Sequence, residues 1–140
     1  MMRGSFSIKN TIRGPVPRLP FELMAAEVLG PRYELSLVIC GDALVQKMNR
    51  QYRLPSLKLR HGKQKNYTPN VLSFPLTKTE GEVFLNVRKA EREARKYGCS
   101  TKERVALLFV HGLLHLKGLP HGRTMESTEQ RILRQFGVQK

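Results

Sequence analysis

The feature that most limits what this chain can become is an apolar run, residues 105–116 (VALLFVHGLLHL), broken only by two histidines and one glycine. A run this long, with large apolar side chains on every turn, predicts a helix buried on most sides. Ahead of it, Ser100 and Glu103 fit the S-x-x-E capping box. Behind it, Gly118 stops the helix and Pro120 keeps it from restarting. The rest of the domain has to be packed around such a helix. Imidazoles on so apolar an element are costly unless their nitrogens find partners.

Spacing supplies the partner. His111 and His115 are four residues apart, so both rings leave one helix face with Cβ atoms roughly 5–6 Å apart. The turn at Gly118 then delivers His121, which places three of the four histidines within eleven residues. Three imidazoles can meet one ion at about 2.0–2.1 Å and leave a fourth zinc position open, as catalytic rather than structural sites do. Water beside an ion held in this way is acidified towards neutral pH. Gly118 and His121 keep the offsets of the metzincin pattern, but Gly112 stands where zinc peptidases of the H-E-x-x-H kind place their glutamate base. Peptide hydrolysis by that mechanism is therefore not expected.

The charge balance names a class of partner. Lys plus Arg number 25 against 11 Asp plus Glu, a net charge of +14, which suits a polyanion and nucleic acid above all. Residues 54–67 hold Lys58, Arg60, His61, Lys63 and Lys65 and no acid. They read as a solvated surface loop, as a basic arm gripping phosphate, or as both; His61 stands apart from the metal set. Residues 88–96 add Arg88, Lys89, Arg92, Arg95 and Lys96, interleaved with Glu91 and Glu93. Cys40 and Cys99 form no CxxC, which argues against a redox motif or a cysteine zinc knuckle and fits a reducing cytoplasm. No apolar run approaches 18 residues and the first ten residues lack a signal-like apolar stretch, so no membrane partner is expected.

At 140 residues the chain is expected to form one domain, residues 1–140. A short strand at residues 6–8 leads through a Pro-rich connection to a helix carrying Phe21, Leu23, Met24, Val28 and Leu29. Residues 33–40 (YELSLVIC) form a strand, Asp42 is an N-cap candidate, and Leu44, Val45, Met48 and Tyr52 share one face of the next helix. This opening argues for an α/β layer with a right-handed crossover. Residues 71–74 (VLSF) and 82–87 (EVFLNV) predict an antiparallel hairpin. Asn86 could cap a helix over residues 87–97 that Gly98 ends. The tail, residues 125–136, carries Ile132, Leu133 and Phe136 on a helical stripe.

Taken together these residues resemble one family. The stretch 111–121 is similar to the H-G-x-L-H-L-x-G-x-x-H signature of the YbeY endoribonucleases, metal-dependent rRNA-maturation factors of bacteria. NRQYR at 49–53, NVLSF at 70–74, Gly81-Glu82 before a strand and E-x-x-I-L from Glu129 follow in the family's order. The resemblance implies a small α/β domain with a mixed, mostly parallel four-stranded sheet, about five helices and the metal-binding helix at its centre. It implies one zinc ion per chain on His111, His115 and His121, and Arg53 as the catalytic arginine in the cleft. The implied activity is single-strand-specific RNA cleavage in 16S rRNA 3′-end maturation and ribosome quality control. The implied partners are the 16S precursor and the 30S subunit or 70S ribosome.

The chain departs from the family at Leu119-Pro120, where Tyr-Asp is usual, so one candidate proton-transfer carboxylate is absent. Thr68-Pro69 stands where Pro-Thr is usual, Glu82 where Asp is common, and the loop after Arg53 is longer and more basic. Glu82 and Glu103 are the acids that could orient the site, Glu103 also being a cap. A non-catalytic basic RNA- or ribosome-binding protein with a zinc site is the competing reading.

Overall fold

Apolar and polar residues alternate at Phe6–Asn10 and apolar ones dominate Glu34–Cys40; both segments are strands in a computed structural model, which describes residues 4–52 and 67–138. They are β1 and β2, paired in parallel with Phe6 opposite Leu35 and joined through helix α1 (Phe21–Leu29). Helix α2 (Asp42–Tyr52) follows, then the hairpin of β3 (Val71–Pro75) and β4 (Glu80–Asn86). At its turn the Leu76 and Thr77 amides both donate to the Glu80 carbonyl. β4 inserts beside β2, giving the order β1-β2-β4-β3 with only β3 antiparallel. The expected mixed, mostly parallel sheet is present, and five helices accompany it among the described residues.

The last three helices carry the local signals their sequences contain. Asn86 accepts a hydrogen bond from the Lys89 amide and opens α3 (Val87–Tyr97), which Gly98 closes. Ser100 and Glu103 form both halves of the capping box that opens α4 (Thr101–Lys117). Helix α5 (Arg123–Gln135) ends the described chain with Met125, Glu129, Ile132 and Leu133 on its buried side. Helix α4 touches α1, α3, α5, β3 and β4, so it is the axis of the larger core. Phe109, fully buried, meets Phe21 edge to face with centroids 5.0 Å apart. Burying an aromatic ring of this kind contributes about 1.5–3 kcal/mol relative to leaving it in water. None of the described helices is long and apolar enough to cross a membrane.

A smaller core on the other sheet face unites Val38, Cys40, Val45, Leu72 and Phe84 under α2. Burial, with the nearby Asp42 charge, pushes the Cys40 thiol up to about 12. Its sulfur donates to the Leu85 carbonyl at 3.6 Å, so this cysteine stays protonated and is no nucleophile.

Three expectations change in detail. Asp42 is the first residue of α2, and its carboxylate accepts from Asn86 Nδ2 at 2.8 Å and from the Arg92 guanidinium at 2.9 Å. Burial raises the Asp42 carboxyl, but these two hydrogen bonds and the Arg92 and Lys89 charges outweigh it and hold the group below its ordinary range. In α2 the buried residues are Val45 and Asn49, while Tyr52 lies exposed. In α1 Leu23 is exposed as well, because the helix buries one stripe against α4 and Leu23 falls beside that stripe.

Candidate metal centre

Gly118 ends α4 in the left-handed conformation, φ 97°, and its amide and that of Leu119 turn back onto the His115 and Leu114 carbonyls. That reversal carries the chain towards α5 and sets His121 beside the two helical histidines. Ring centroids are 4.5 Å apart for His111–His115 and for His115–His121, and 5.1 Å for His111–His121. One ring nitrogen from each lies within 4.8 Å of the others, so the trio could hold a metal ion. The burial differs: His111 and His115 are half-buried and His121 is exposed.

The donor set can be tested without an ion. His111 Nδ1 lies 2.5 Å from Oε2 of Glu129, one of the few buried polar side chains. A carboxylate there takes the proton on Nδ1 as its hydrogen bond and leaves the lone pair on Nε2. That lone pair faces Nε2 of His115 at 3.0 Å. Two ring nitrogens so close need a proton or a cation between them. Ligands about 2.0–2.1 Å from a tetrahedral ion stand roughly 3.3–3.4 Å apart, near the separation observed. A carboxylate behind a ligating histidine is also the usual support of such sites. The residues therefore fit a divalent ion.

Gly112 has a role that spacing does not reveal. A Cβ there would lie 3.0 Å from Ser73 Oγ and from Val71 Cγ2, and 3.4 Å from Val83 Cγ1. The Ser73 hydroxyl donates to the Gly112 carbonyl at 2.8 Å. This glycine lets α4 lie directly on the outer strand β3, and the glutamate of a zinc peptidase at this position would have to displace the Ser73 and Val71 side chains.

A cavity of about 370 Å³ opens on the histidines and is otherwise lined by Tyr67, Asn70, Val71 and Ser73. The Asn86 amide donates to the Asn70 carbonyl, so the strand register turns the backbone groups of Val71 and Ser73 away from β4, along the edge of β3 that no described strand pairs. The Asn70 amide donates to both Glu93 oxygens, at 3.4 and 3.2 Å. No carboxylate lines this cavity among the described residues.

The structure joins His111, His115 and His121 as the spacing predicts. Residues 53–66, and with them Arg53, His61 and all of the basic 54–67 stretch except Tyr67, lie outside the described residues. Neither acid singled out from the sequence reaches the histidines: Glu82 meets the Ser36 hydroxyl at 3.5 Å, and Glu103 is spent on the cap. Glu129 is the residue that sequence reasoning missed as an orienter. Its signal was an acid on the apolar stripe of Met125, Ile132 and Leu133. The basic face of α3 is also more neutral locally than its sequence suggests, because Arg88 pairs with Glu91 and Arg92 with Asp42, each at 2.9 Å.

Comparison with known proteins agrees with this geometry. The family model described as Endoribonuclease YbeY matches residues 9–137. The Endoribonuclease YbeY of Pelotomaculum thermopropionicum is 31% identical over 95% of this chain and 86% of its own length. That of Carboxydothermus hydrogenoformans is 34% identical, covering 76% of this chain and 74% of its own. The solution structure of TM1509 from Thermotoga maritima shares the fold, with a TM-score of 0.63 and 17% identity over 92% of this chain and 88% of that one. The match runs from the first strand through the last helix and includes all three histidines, and the chain belongs to the YbeY endoribonuclease family.

Proposed function

We propose that this protein is a zinc-dependent, single-strand-specific endoribonuclease that acts in 16S rRNA 3′-end maturation and ribosome quality control. The observation that carries the reading is the convergence of three imidazoles at an open cavity, one of them locked from behind by a buried carboxylate. Family membership supports RNA as the substrate, and the net charge of +14 supports a polyanion. The ribosomal partners, the 16S precursor within 30S or 70S particles, and a cytoplasmic location follow from the same family reading.

His111, His115 and His121 would hold one zinc ion, borderline in softness and suited to neutral imidazoles. When bound, zinc would supply Lewis acidity at the phosphate and lower the pKa of water. Glu129 would hold the His111 ring in the orientation and tautomer that presents Nε2 to the cavity. Arg53 would grip the phosphate through its planar fork of donors.

The test is cleavage of a short single-stranded RNA by the purified protein. A chelator should abolish it and added zinc should restore it. Cleavage that survives complete metal removal would refute the zinc requirement, and binding without any cleavage would favour the non-catalytic reading. A second expectation concerns the support. Glu129→Ala should weaken zinc binding about 10–100-fold, read by competition with a chelating dye. Glu129→Gln should lose less, since its amide oxygen can still accept from Nδ1. Equal zinc affinity in wild type and Glu129→Ala would remove the proposed role.

A further inference from the structure

Tyr67 is half-exposed, at 51%, and is one of the residues that line the cavity holding the histidines. The neighbouring Thr68 is held from two helices: Gln46 Nε2 of α2 donates to its hydroxyl at 2.5 Å, and Lys89 Nζ of α3 donates to its carbonyl. The same Lys89 ammonium lies over the tyrosine ring, 5.2 Å from its centroid. One face of the ring thus rests against a cation, and Tyr67 takes no part in either core cluster. A large, half-exposed aromatic surface thus stands over a cation beside the candidate metal centre.

We infer that Tyr67 is a stacking platform for one unpaired nucleobase of the substrate, next to the phosphate brought to the histidines. The inference rests on the reading of this site as an RNA-cleaving one, and it adds how a single strand is chosen. A base in a duplex has both faces covered, whereas an unpaired base can lie on an aromatic ring. The cation behind the ring strengthens that contact. Among the described residues that line the cavity beside the histidines, the Asn70 amide is committed to Glu93 and the Ser73 hydroxyl to the Gly112 carbonyl. Base identity is therefore read weakly, and stacking, which every base offers, does the holding.

The experiment uses the full chain loaded with zinc and a 2′-O-methyl RNA oligonucleotide of about twelve nucleotides, a length near the upper range of single-strand sites. Binding is read by fluorescence anisotropy. Tyr67→Ala should bind roughly tenfold more weakly, within the range of aromatic-to-alanine losses at stacked bases, while Tyr67→Phe should bind as wild type does. The loss should be similar for oligonucleotides of different base composition, and zinc content should not change. One abasic site, walked along the oligonucleotide, should weaken wild type at one position and leave Tyr67→Ala unaffected there. Wild-type affinity in Tyr67→Ala would overturn the platform, as would a Tyr67→Phe loss equal to that of Ala, which would assign the effect to the hydroxyl. The two readings separate cleanly. A protein that shows this pattern but never cuts unmodified RNA keeps the platform and loses the nuclease. One that cuts RNA with Tyr67→Ala unimpaired keeps the nuclease and loses the platform.

Discussion

His115→Ala is expected to lose bound zinc and RNA cleavage together. His115 is the middle of the trio, with ring centroids 4.5 Å from each of the other two. Two imidazoles remain in the variant, one of them on the exposed turn after α4, and a pair is a poor zinc site where three or four ligands are the rule. The rate should fall at least about a thousandfold, since the ion's effect on water acidity and phosphate charge goes with it. The fold should persist, because alanine is the best helix former and His115 is only half-buried. Metal analysis and an RNA cleavage assay on one preparation check both halves, and an unchanged zinc content would end the assignment. Arg53→Ala makes the contrast: full zinc content with weak cleavage, and wild-type turnover there would remove the proposed phosphate grip.

Gly112→Glu should damage the fold strongly. It restores the H-E-x-x-H pattern in letters but not in space. Its Cβ would sit 3.0 Å from atoms of Val71 and Ser73, tighter than ordinary contact. Overpacking of this kind costs about 1–3 kcal/mol, and a carboxylate pressed into that contact without a partner adds about 3 kcal/mol or more. Against a typical stability of about 5–15 kcal/mol this is a large fraction. Gly112→Ala should cost less, because its gain in helix propensity of about 1 kcal/mol offsets part of the clash. Urea unfolding of both variants, with zinc content, reads the result. A Gly112→Glu protein as stable as wild type that digests casein would show that the glycine merely omits a base.

Much of the architecture is carried by short-range signals. Ser100 and Glu103 sit in one turn and could cap only the helix that follows. Val71–Pro75 and Glu80–Asn86 are separated by four residues, so a hairpin was the available connection. His111, His115 and His121 are brought together by one helix turn and one glycine reversal, and their convergence follows from spacing. By contrast, Asp42 looks like a cap in isolation, and its true partners, Asn86 and Arg92, are 44 and 50 residues away. The acid for His111 was misread for the same reason. Glu82 and Glu103 stand in conspicuous local patterns, while Glu129 reaches the ring only because α5 folds back along α4.

The boundary between these cases is physical. Helix pitch and turn chemistry act over a few residues, and that range suffices to aim three imidazoles at one point. The carboxylate behind His111, the closeness of Gly112 to β3 and the presentation of Tyr67 beside the cavity all arise where segments remote along the chain are pressed together. Such contacts depend on how whole elements pack, which residue spacing does not encode.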